Sequence, residues 1–266
     1  MYCMKDGNFL FIIMKSIKNI VIVGCLHGDE IIGKKVIEYL KDMTFKKNVS
    51  FVLGNKKAIS RGVRFITSDL NRSFPGKEKG GTYEEYVAFY LLQKIQNADM
   101  VIDIHATGSH FDSAVIVSDM SFSTKKILSL VPIRKVLVIR KNSFGNGRGL
   151  IHHVKGGISV EYGYGKGSLN TQRALKDILQ ILINSGALGG KREIISKKVY
   201  EVKKEYRVPN GFVVSKRLRD FKRVEKGQFL GKENGEAVYS KDYFYPVFLG
   251  EGKYEGTLCL ETKMVH

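Results

Sequence analysis

The residues best suited to chemistry begin with the segment HGDE, in which a histidine and a glutamate stand three positions apart. His27 and Glu30 follow an apolar run, and one turn of backbone can aim both side chains at one point. Imidazole nitrogen and carboxylate oxygen together suit Zn²⁺. The pair alone does not establish a metal site, because Asp29 as a helix cap and Glu30 on the surface would explain the segment equally well.

Two further polar clusters stand at the ends of apolar segments. In DIH, Asp103 precedes His105 by two positions, so both side chains project from one face of a strand and the carboxylate can orient the imidazole. Glu161 ends the segment GISVE and is a candidate general base. The alternatives are a core or capping histidine, and a capping or ion-paired glutamate.

The densest polar segment is RFITSDLNRSFP, residues 64–75. Two arginines and an asparagine on one loop favour a clamp for carboxylates, because guanidinium binds a carboxylate through two hydrogen bonds. A solvated basic loop is the alternative. The loop belongs to a polar, glycine-rich stretch, residues 54–79, and stretches of that length without periodicity are usually functional.

Taken together, these segments resemble one family. HGDE, then GNKKA and RFITSDLNRSFPG, then DIHAT, then SVEYG are similar to the succinylglutamate desuccinylase/aspartoacylase family, a branch of the zinc carboxypeptidase-like fold. The resemblance covers residues 20–161 and resumes at YPVF, residues 245–248, and at Tyr254. It implies an α/β fold with a mixed sheet flanked by helices, and one Zn²⁺ per chain.

The resemblance also implies catalytic roles. His27, Glu30 and His105 match the zinc ligands, with a fourth position open to water. Glu161 matches the general base that deprotonates this water and then protonates the leaving amine. Arg64 matches the arginine that polarises the scissile carbonyl and stabilises the oxyanion.

For substrate binding, the resemblance implies a second set of residues. Asn71 and Arg72 match the pair that binds the α-carboxylate, and Arg148 matches the arginine that binds a side-chain carboxylate. Tyr254 is similar to a tyrosine contributed by the C-terminal domain. The supporting residues of the pocket are matched by Asn55 and Asp69.

The segments that must position these residues alternate between strand and helix patterns, which is typical of an α/β sandwich. Apolar, β-branched runs predict strands, and residues 30–40, 83–96 and 169–184 have helical periodicity. After residue 190 the helical period disappears and short strand-like runs alternate with glycine turns. We therefore predict a hydrolase domain over residues 14–190 and a smaller β-rich domain over residues 191–266.

Composition narrows the class of partner. The 266 residues carry 44 Lys+Arg and 26 Asp+Glu, a net charge of +18, which favours anionic partners. Residues 191–226 alone hold 13 Lys/Arg and 5 Asp/Glu, so a nucleic-acid-binding protein is an alternative, although no nucleic-acid-binding motif accompanies these charges. The three cysteines form no CxxC pair and no apolar run is long enough to span a bilayer, which predicts a cytoplasmic protein.

The sequence thus predicts a zinc-dependent amidohydrolase that removes an acyl group from a small anionic N-acyl amino acid, with an acidic amino acid preferred. A metallocarboxypeptidase that acts on peptides or poly-glutamyl tails is the alternative, since the same fold and metal site serve both reactions. Neither a membrane nor a nucleic acid is expected as a partner, and homo-oligomerisation is left open.

Overall fold

The computed structural model describes residues 4–5, 8–9, 17–165, 167–250 and 256–265. Its centre is a nine-stranded mixed sheet in the order β13-β14-β9-β7-β6-β8-β5-β3-β4, accompanied by a three-stranded sheet, β10-β11-β12, and a two-stranded one, β1-β2. The strands are β1 (Met4–Lys5), β2 (Asn8–Phe9), β3 (Asn19–Gly24), β4 (Asn48–Leu53), β5 (Met100–Ala106), β6 (Ser113–Val117), β7 (Lys135–Val138), β8 (Gly157–Tyr162), β9 (Lys198–Arg207), β10 (Val213–Val214), β11 (Phe229–Glu233), β12 (Glu236–Tyr239), β13 (Tyr245–Val247) and β14 (Thr257–Met264). The helices are α1 (Ile32–Leu40), α2 (Lys56–Arg61), α3 (Tyr83–Ile95), α4 (Phe122–Leu128) and α5 (Ser168–Ser185).

The predicted fold class, a mixed α/β sheet flanked by helices, is confirmed. β3, β4, β5 and β8 run parallel, whereas β6 pairs with β8 antiparallel. β3 and β5 are nearly continuous apolar runs, as expected of strands covered on both faces. The parallel strands β3, β5 and β8 therefore end at one edge of the sheet, the edge that carries the chemical residues.

One face of the sheet holds the larger aliphatic core. Residues at alternate positions of the strands, such as Ile22, Ile102 and Val160, pack with the apolar stripes of α1 and α5. In α1 the buried residues Ile32, Val36 and Leu40 recur at helical spacing. This core fixes the strands laterally and carries no residue of the predicted site.

The opposite face holds the site and two other cores. Val21, Val23 and Val101 pack there with the apolar residues of α3, and Ile116, Leu137 and Ile139 pack with side chains from the C-terminal strands. Along β5 and β8 the polar residues alternate with the aliphatic core residues, so Asp103, His105 and Glu161 point to this second face.

After residue 190 the chain contributes both to the large sheet and to the small one. β9, β14 and β13 extend the large sheet beyond β7, and the smaller antiparallel sheet is formed by β10, β11 and β12. The C-terminal region is β-rich, as predicted. Three of these strands continue the main sheet. The division into two domains at residue 190 stays a prediction.

Three local features differ from the sequence prediction. The stretch 54–79 is not entirely irregular, since it holds α2 and a 3₁₀ turn over Leu70–Arg72. The helix α4 and the strand β11 were not predicted, because α4 has only seven residues and β11 (FLGKE) contains a glycine and two charged residues. Among the described residues, no helix is long and apolar enough to cross a membrane.

Candidate active site

A buried cluster of His27, Glu30 and His105 lies at the strand-end edge of the sheet. One ligand atom from each residue lies within 4.8 Å of the others. His27 and Glu30 occupy a turn after β3 that the Glu30 amide closes on the His27 carbonyl at 3.2 Å, and His105 is near the end of β5. Gly28 lets this turn pack on α2, because a Cβ there would lie 2.2 Å from the backbone of Ala58. The turn and the strand end thus bring the three side chains together.

Hydrogen bonds on the outer side of each imidazole set its orientation. His27 Nε2 lies 2.9 Å from Asp69 Oδ1, and His105 Nε2 lies 2.6 Å from Asp103 Oδ2. With the protons on these Nε2 atoms, both imidazoles donate to a carboxylate and present the Nδ1 lone pair to Glu30. Ser159 Oγ donates to Asp103 at 3.1 Å and fixes that carboxylate in turn.

On the inner side, the donor atoms fit a cation. His27 Nδ1 lies 2.9 Å from Glu30 Oε1, and His105 Nδ1 lies 3.1 Å from Glu30 Oε2. Apart from this carboxylate, no described residue offers the buried His27 Nδ1 a hydrogen-bond partner. At these distances the lone pairs of the two Nδ1 atoms and the carboxylate oxygens of Glu30 repel each other unless a proton or a metal ion lies between them. Two imidazole nitrogens and a carboxylate oxygen are a typical donor set for Zn²⁺.

The pKa shifts in the cluster have the same origin. Burial by itself would lower the pKa of His105, but the charge and hydrogen bond of Asp103 and the hydrogen bond of Glu30 raise it well above its usual value. Burial would raise the pKa of Glu30, yet His27 and His105 hold it well below its usual value. The carboxylates thus stabilise the protonated imidazoles, and the imidazoles stabilise the ionised form of Glu30.

Glu161 stands beside this cluster on the neighbouring strand. The β5–β8 register pairs His105 with Glu161, and the half-buried Glu161 side chain lines the same cavity as the three ligands. The negative charge of Glu161 also raises the pKa of His105, but less than Asp103 and Glu30 do. A carboxylate next to a metal-ligand cluster, and open to the cavity, is placed to accept a proton from water.

Arg64 and Asp69 interact directly with the cluster. Arg64 Nη1 donates to Glu30 Oε1 at 2.7 Å, and Arg64 Nη2 lies 3.0 Å from His27 Nε2 and 3.4 Å from Asp69 Oδ2. Burial would raise the pKa of Asp69, but the hydrogen bond from His27 and the nearby positive charges of Arg64 and Arg72 lower it strongly. Asp69 therefore stays ionised and connects the loop to His27.

Asn71 and Arg72 line the cavity from the 3₁₀ turn that Asp69 caps. Asp69 Oδ1 accepts a hydrogen bond from the Asn71 amide at 2.8 Å, and Asn71 Oδ1 accepts one from the Leu150 amide at 3.0 Å. The Arg72 guanidinium lies 5.0 Å from the centre of the Phe144 ring. Stacking on an aromatic ring and a hydrogen bond to the Asn71 carbonyl hold this cation at the cavity wall.

Glu84 is the residue that the sequence analysis missed. Its fully buried carboxylate accepts hydrogen bonds from the amides of Ile66, Thr67 and Ser68, at 2.7, 3.1 and 3.1 Å, and from Asn55 Nδ2 at 3.0 Å. It thereby holds the loop that carries the arginines. The sequence contains a sign of this: the buried residues of α3 recur at helical spacing, and Glu84 occupies the first position of that otherwise apolar stripe.

Asn55 therefore supports the loop through Glu84 and does not contact the cavity itself. Besides its bond to Glu84, its side-chain oxygen accepts from the Ala58 amide at 3.1 Å and caps α2. Asn55 is fully buried and does not line the cavity.

One predicted substrate-binding residue, Arg148, is not brought to the cavity. The Arg148 side chain is 50% exposed, and its nearest described carboxylate is Glu85, at 3.6 Å. Arg148 does not line the cavity. Tyr254 lies outside the described residues. The roles predicted for both residues stay predictions.

The cavity opens to solvent, and the empty space within it, open solvent at its mouth included, is about 660 Å³. Most of the predicted catalytic and binding residues lie on its wall, together with apolar side chains from the C-terminal strands. Its lining consists of His27, Glu30, Arg64, Asn71, Arg72, His105, Ala106, Thr107, Phe144, Glu161, Phe248, Thr257, Cys259 and Leu260.

The amino-acid sequence is similar to one family model and to curated aspartoacylase sequences. Residues 16–131 match the model of the succinylglutamate desuccinylase/aspartoacylase catalytic domain. A probable aspartoacylase from Prochlorococcus marinus subsp. pastoris is 33% identical over 111 residues, 38% of each chain. A probable aspartoacylase from Nostoc sp. is 25% identical over 277 residues, 91% of this chain and 94% of that one.

The solved structures extend the similarity of fold to almost the whole chain. Murine aminoacylase 3 superposes with a TM-score of 0.79 at 20% identity, and the match covers 95% of this chain and 97% of that one. At this identity the match shows a shared fold, and it includes the C-terminal strands as well as the matched catalytic region.

Proposed function

Because the chain belongs to the succinylglutamate desuccinylase/aspartoacylase family, we propose that it is a zinc-dependent amidohydrolase that cleaves N-acyl amino acids. The hydrolase class follows from the family; the metal and the substrate are our proposal. The observation that carries it is the buried cluster of His27, Glu30 and His105, which shares one cavity with Glu161 and Arg72.

His27, Glu30 and His105 would hold the ion, since their donor atoms converge and the Nε2 atoms of both imidazoles are engaged elsewhere. When bound, Zn²⁺ supplies Lewis acidity, which polarises a carbonyl and makes water reactive at about pH 7. Asp69 and Asp103 hold the two imidazoles in the tautomer that leaves Nδ1 free to bind the metal.

Glu161 carries the proton in this proposal. Its carboxylate takes a proton from the attacking water and delivers it to the amide nitrogen as the C–N bond breaks, so that a carboxylic acid and an amine are released. Its place on the strand next to His105 supports the assignment, because the β5–β8 ladder holds both side chains in register.

The arginines bind the anionic parts of the substrate. Arg72, beside Asn71 on the cavity wall, would bind the α-carboxylate that all N-acyl amino acids share. Arg64 would donate to the oxyanion that develops on the scissile carbonyl, a contact whose loss costs roughly 10²–10³ in rate in comparable sites. For this role Arg64 must turn from Glu30 towards the substrate.

The proposal covers N-acyl amino acids as a class. The preference for an acidic amino acid predicted from the sequence depended on Arg148, which is half exposed and faces Glu85.

Three scattered cysteines without a CxxC pair support a cytoplasmic location.

The test combines metal content with hydrolysis. Purified protein should bind about one Zn²⁺ per chain and release amine from N-acetyl amino acids, and His27→Ala should lose both properties. His110→Ala, the same change at an exposed histidine outside the cavity, is the matched control and should keep both. Stoichiometric zinc in His27→Ala would overturn the metal site, and turnover confined to C-terminal residues of peptides would favour the carboxypeptidase alternative.

A further inference from the structure

A second cavity adjoins the active site. It has an empty volume of about 520 Å³, and its wall shares Asn71, Arg72, Phe144, Glu161 and Phe248 with the first. These shared residues include the proposed base and both proposed ligands of the α-carboxylate. We name this second cavity the side pocket.

Three isoleucines and two phenylalanines supply the apolar part of the side-pocket wall, beside polar side chains that include Asn71 and Ser159. Ile116 on β6 and Ile139 just after β7 lie on the site face of the sheet, and Ile151 comes from the 3₁₀ turn at Leu150–His152. All three are less than a tenth exposed. The half-buried rings of Phe144 and Phe248 form its border with the first cavity.

Charged groups are few in the side pocket. Among the described residues of its lining, the ionisable ones are Arg72, His152 and Glu161. Burial lowers the pKa of His152, and the charges of His153, Lys141 and Arg72 lower it further, so this imidazole is neutral at pH 7. Arg72 has its own ligand in the proposed function, and Glu161 would repel an anion. A second carboxylate in the side pocket would therefore lack a counter-charge.

The position of the side pocket identifies the part of the substrate it would receive. In an N-acyl amino acid the α-carbon is bonded both to the amide nitrogen and to the carboxylate. Glu161 serves the nitrogen and Arg72 the carboxylate, and both residues line both cavities, so the α-carbon lies where the two cavities meet and its side chain can extend into the side pocket. The acyl group extends from the scissile carbonyl and belongs with the metal cluster in the first cavity.

We propose that the side pocket binds the side chain of the amino acid and selects neutral, apolar side chains over acidic ones. This inference rests on the proposed function and adds a substrate class to it. Burial of an aliphatic side chain among isoleucines is favourable, whereas an unpaired carboxylate there is penalised.

The test compares kcat/KM of the zinc-loaded enzyme for N-acetyl-leucine, N-acetyl-alanine and N-acetyl-aspartate. Leucine should exceed alanine by on the order of 10- to 100-fold, the range for a few methylene groups, and exceed aspartate by at least as much. No turnover of any substrate would overturn the proposed function and this inference with it. Turnover that favours aspartate, or that does not separate leucine from alanine, would overturn the side pocket alone.

Variants that fill the side pocket locate the selectivity. Ile139→Phe should lower kcat/KM for N-acetyl-leucine by roughly tenfold or more and leave N-acetyl-alanine within about threefold, because only the larger side chain needs the space. Ile151→Phe, from another wall, should do the same if Ile139→Phe does not fold. Ile194→Phe, at an 84% exposed position, is the matched control. An unchanged leucine-to-alanine ratio in a folded filling variant would overturn the assignment.

Discussion

His105 and Glu161 reach the cavity on strands, whereas Arg64, Asn71 and Arg72 reach it on a loop. The strand residues are neighbours in the β5–β8 ladder, and backbone hydrogen bonds on both sides of each strand hold them. The loop has no such ladder. Its amides at residues 66–68 are held by one buried carboxylate, that of Glu84.

The strand half and the loop half of the site are therefore vulnerable to different substitutions. Glu161→Gln changes a chemical group and leaves the ladder in place, so its effect should be confined to catalysis. A substitution at Glu84 leaves every chemical group in place and releases the loop that positions the substrate-binding groups. Kinetics and stability measured on Glu161→Gln and Glu84→Gln separate these two outcomes.

The largest effect is expected on the strand side. Glu161→Gln preserves size but cannot accept a proton from water, so kcat should fall by roughly 10²-fold or more while zinc content and thermal stability stay normal. Steady-state kinetics with metal analysis measures this. The exposed Glu236→Gln serves as the control. Wild-type turnover by Glu161→Gln would assign the base to another carboxylate.

On the loop side, Arg72→Ala should weaken every N-acyl amino acid substrate. Loss of a charge-assisted contact to the α-carboxylate costs about 1.5–3 kcal/mol, which corresponds to roughly a 10- to 150-fold fall in kcat/KM. The fall should be similar for leucine, alanine and aspartate derivatives. Arg61→Ala, an exposed arginine at the end of α2, is the control. A loss restricted to one substrate would contradict the assignment of the α-carboxylate to Arg72.

Glu84→Gln tests the support of the loop. An amide replaces one carboxylate oxygen, so the four donors around Glu84 cannot all be satisfied and the free energy of unfolding should drop by about 2–3 kcal/mol. KM should rise for every substrate, and zinc content should stay normal. The exposed Glu78→Gln should change neither.

The same variant has an expected pH dependence. Burial would raise the pKa of Glu84, but hydrogen bonds from the Ile66 amide and Asn55, and from two further amides, lower it below its usual 4.5. Its contribution to stability is therefore present above about pH 4.5 and is lost as the pH falls through the lower pKa of the folded state. Wild type and Glu84→Gln should converge in unfolding free energy in acid, as denaturant titrations at several pH values would measure. A pH-independent difference would contradict this account.

The smallest effect is expected at Arg148. Its exposed ion pair with Glu85 contributes about 0–1 kcal/mol, so Arg148→Ala should change kcat/KM less than about threefold for leucine, alanine and aspartate derivatives alike. A selective loss for N-acetyl-aspartate would instead restore the role that the family resemblance gave to Arg148.

Much of the fold was predictable because its signals are local. Apolar, β-branched runs indicated β3, β5 and β8, and helical periodicity indicated α1, α3 and α5 within a few residues of their bounds. The continuation of the large sheet through β9 and β14 was not predictable, because strand pairing is a long-range contact and short C-terminal strands read the same in either sheet.

For the site, the sequence determined which chemical groups are present and, through HGDE, DIHAT and SVEYG, that they stand at strand ends. Their convergence, the orientation of each imidazole by Asp69 and Asp103, and the support by Glu84 were decided by tertiary structure. The apolar side pocket likewise combines isoleucines from β6, from the end of β7 and from a distant turn. The physical reason is common to all of these features: periodicity follows from the geometry of one segment, whereas a cavity or a hydrogen-bond network exists only where segments far apart in sequence meet.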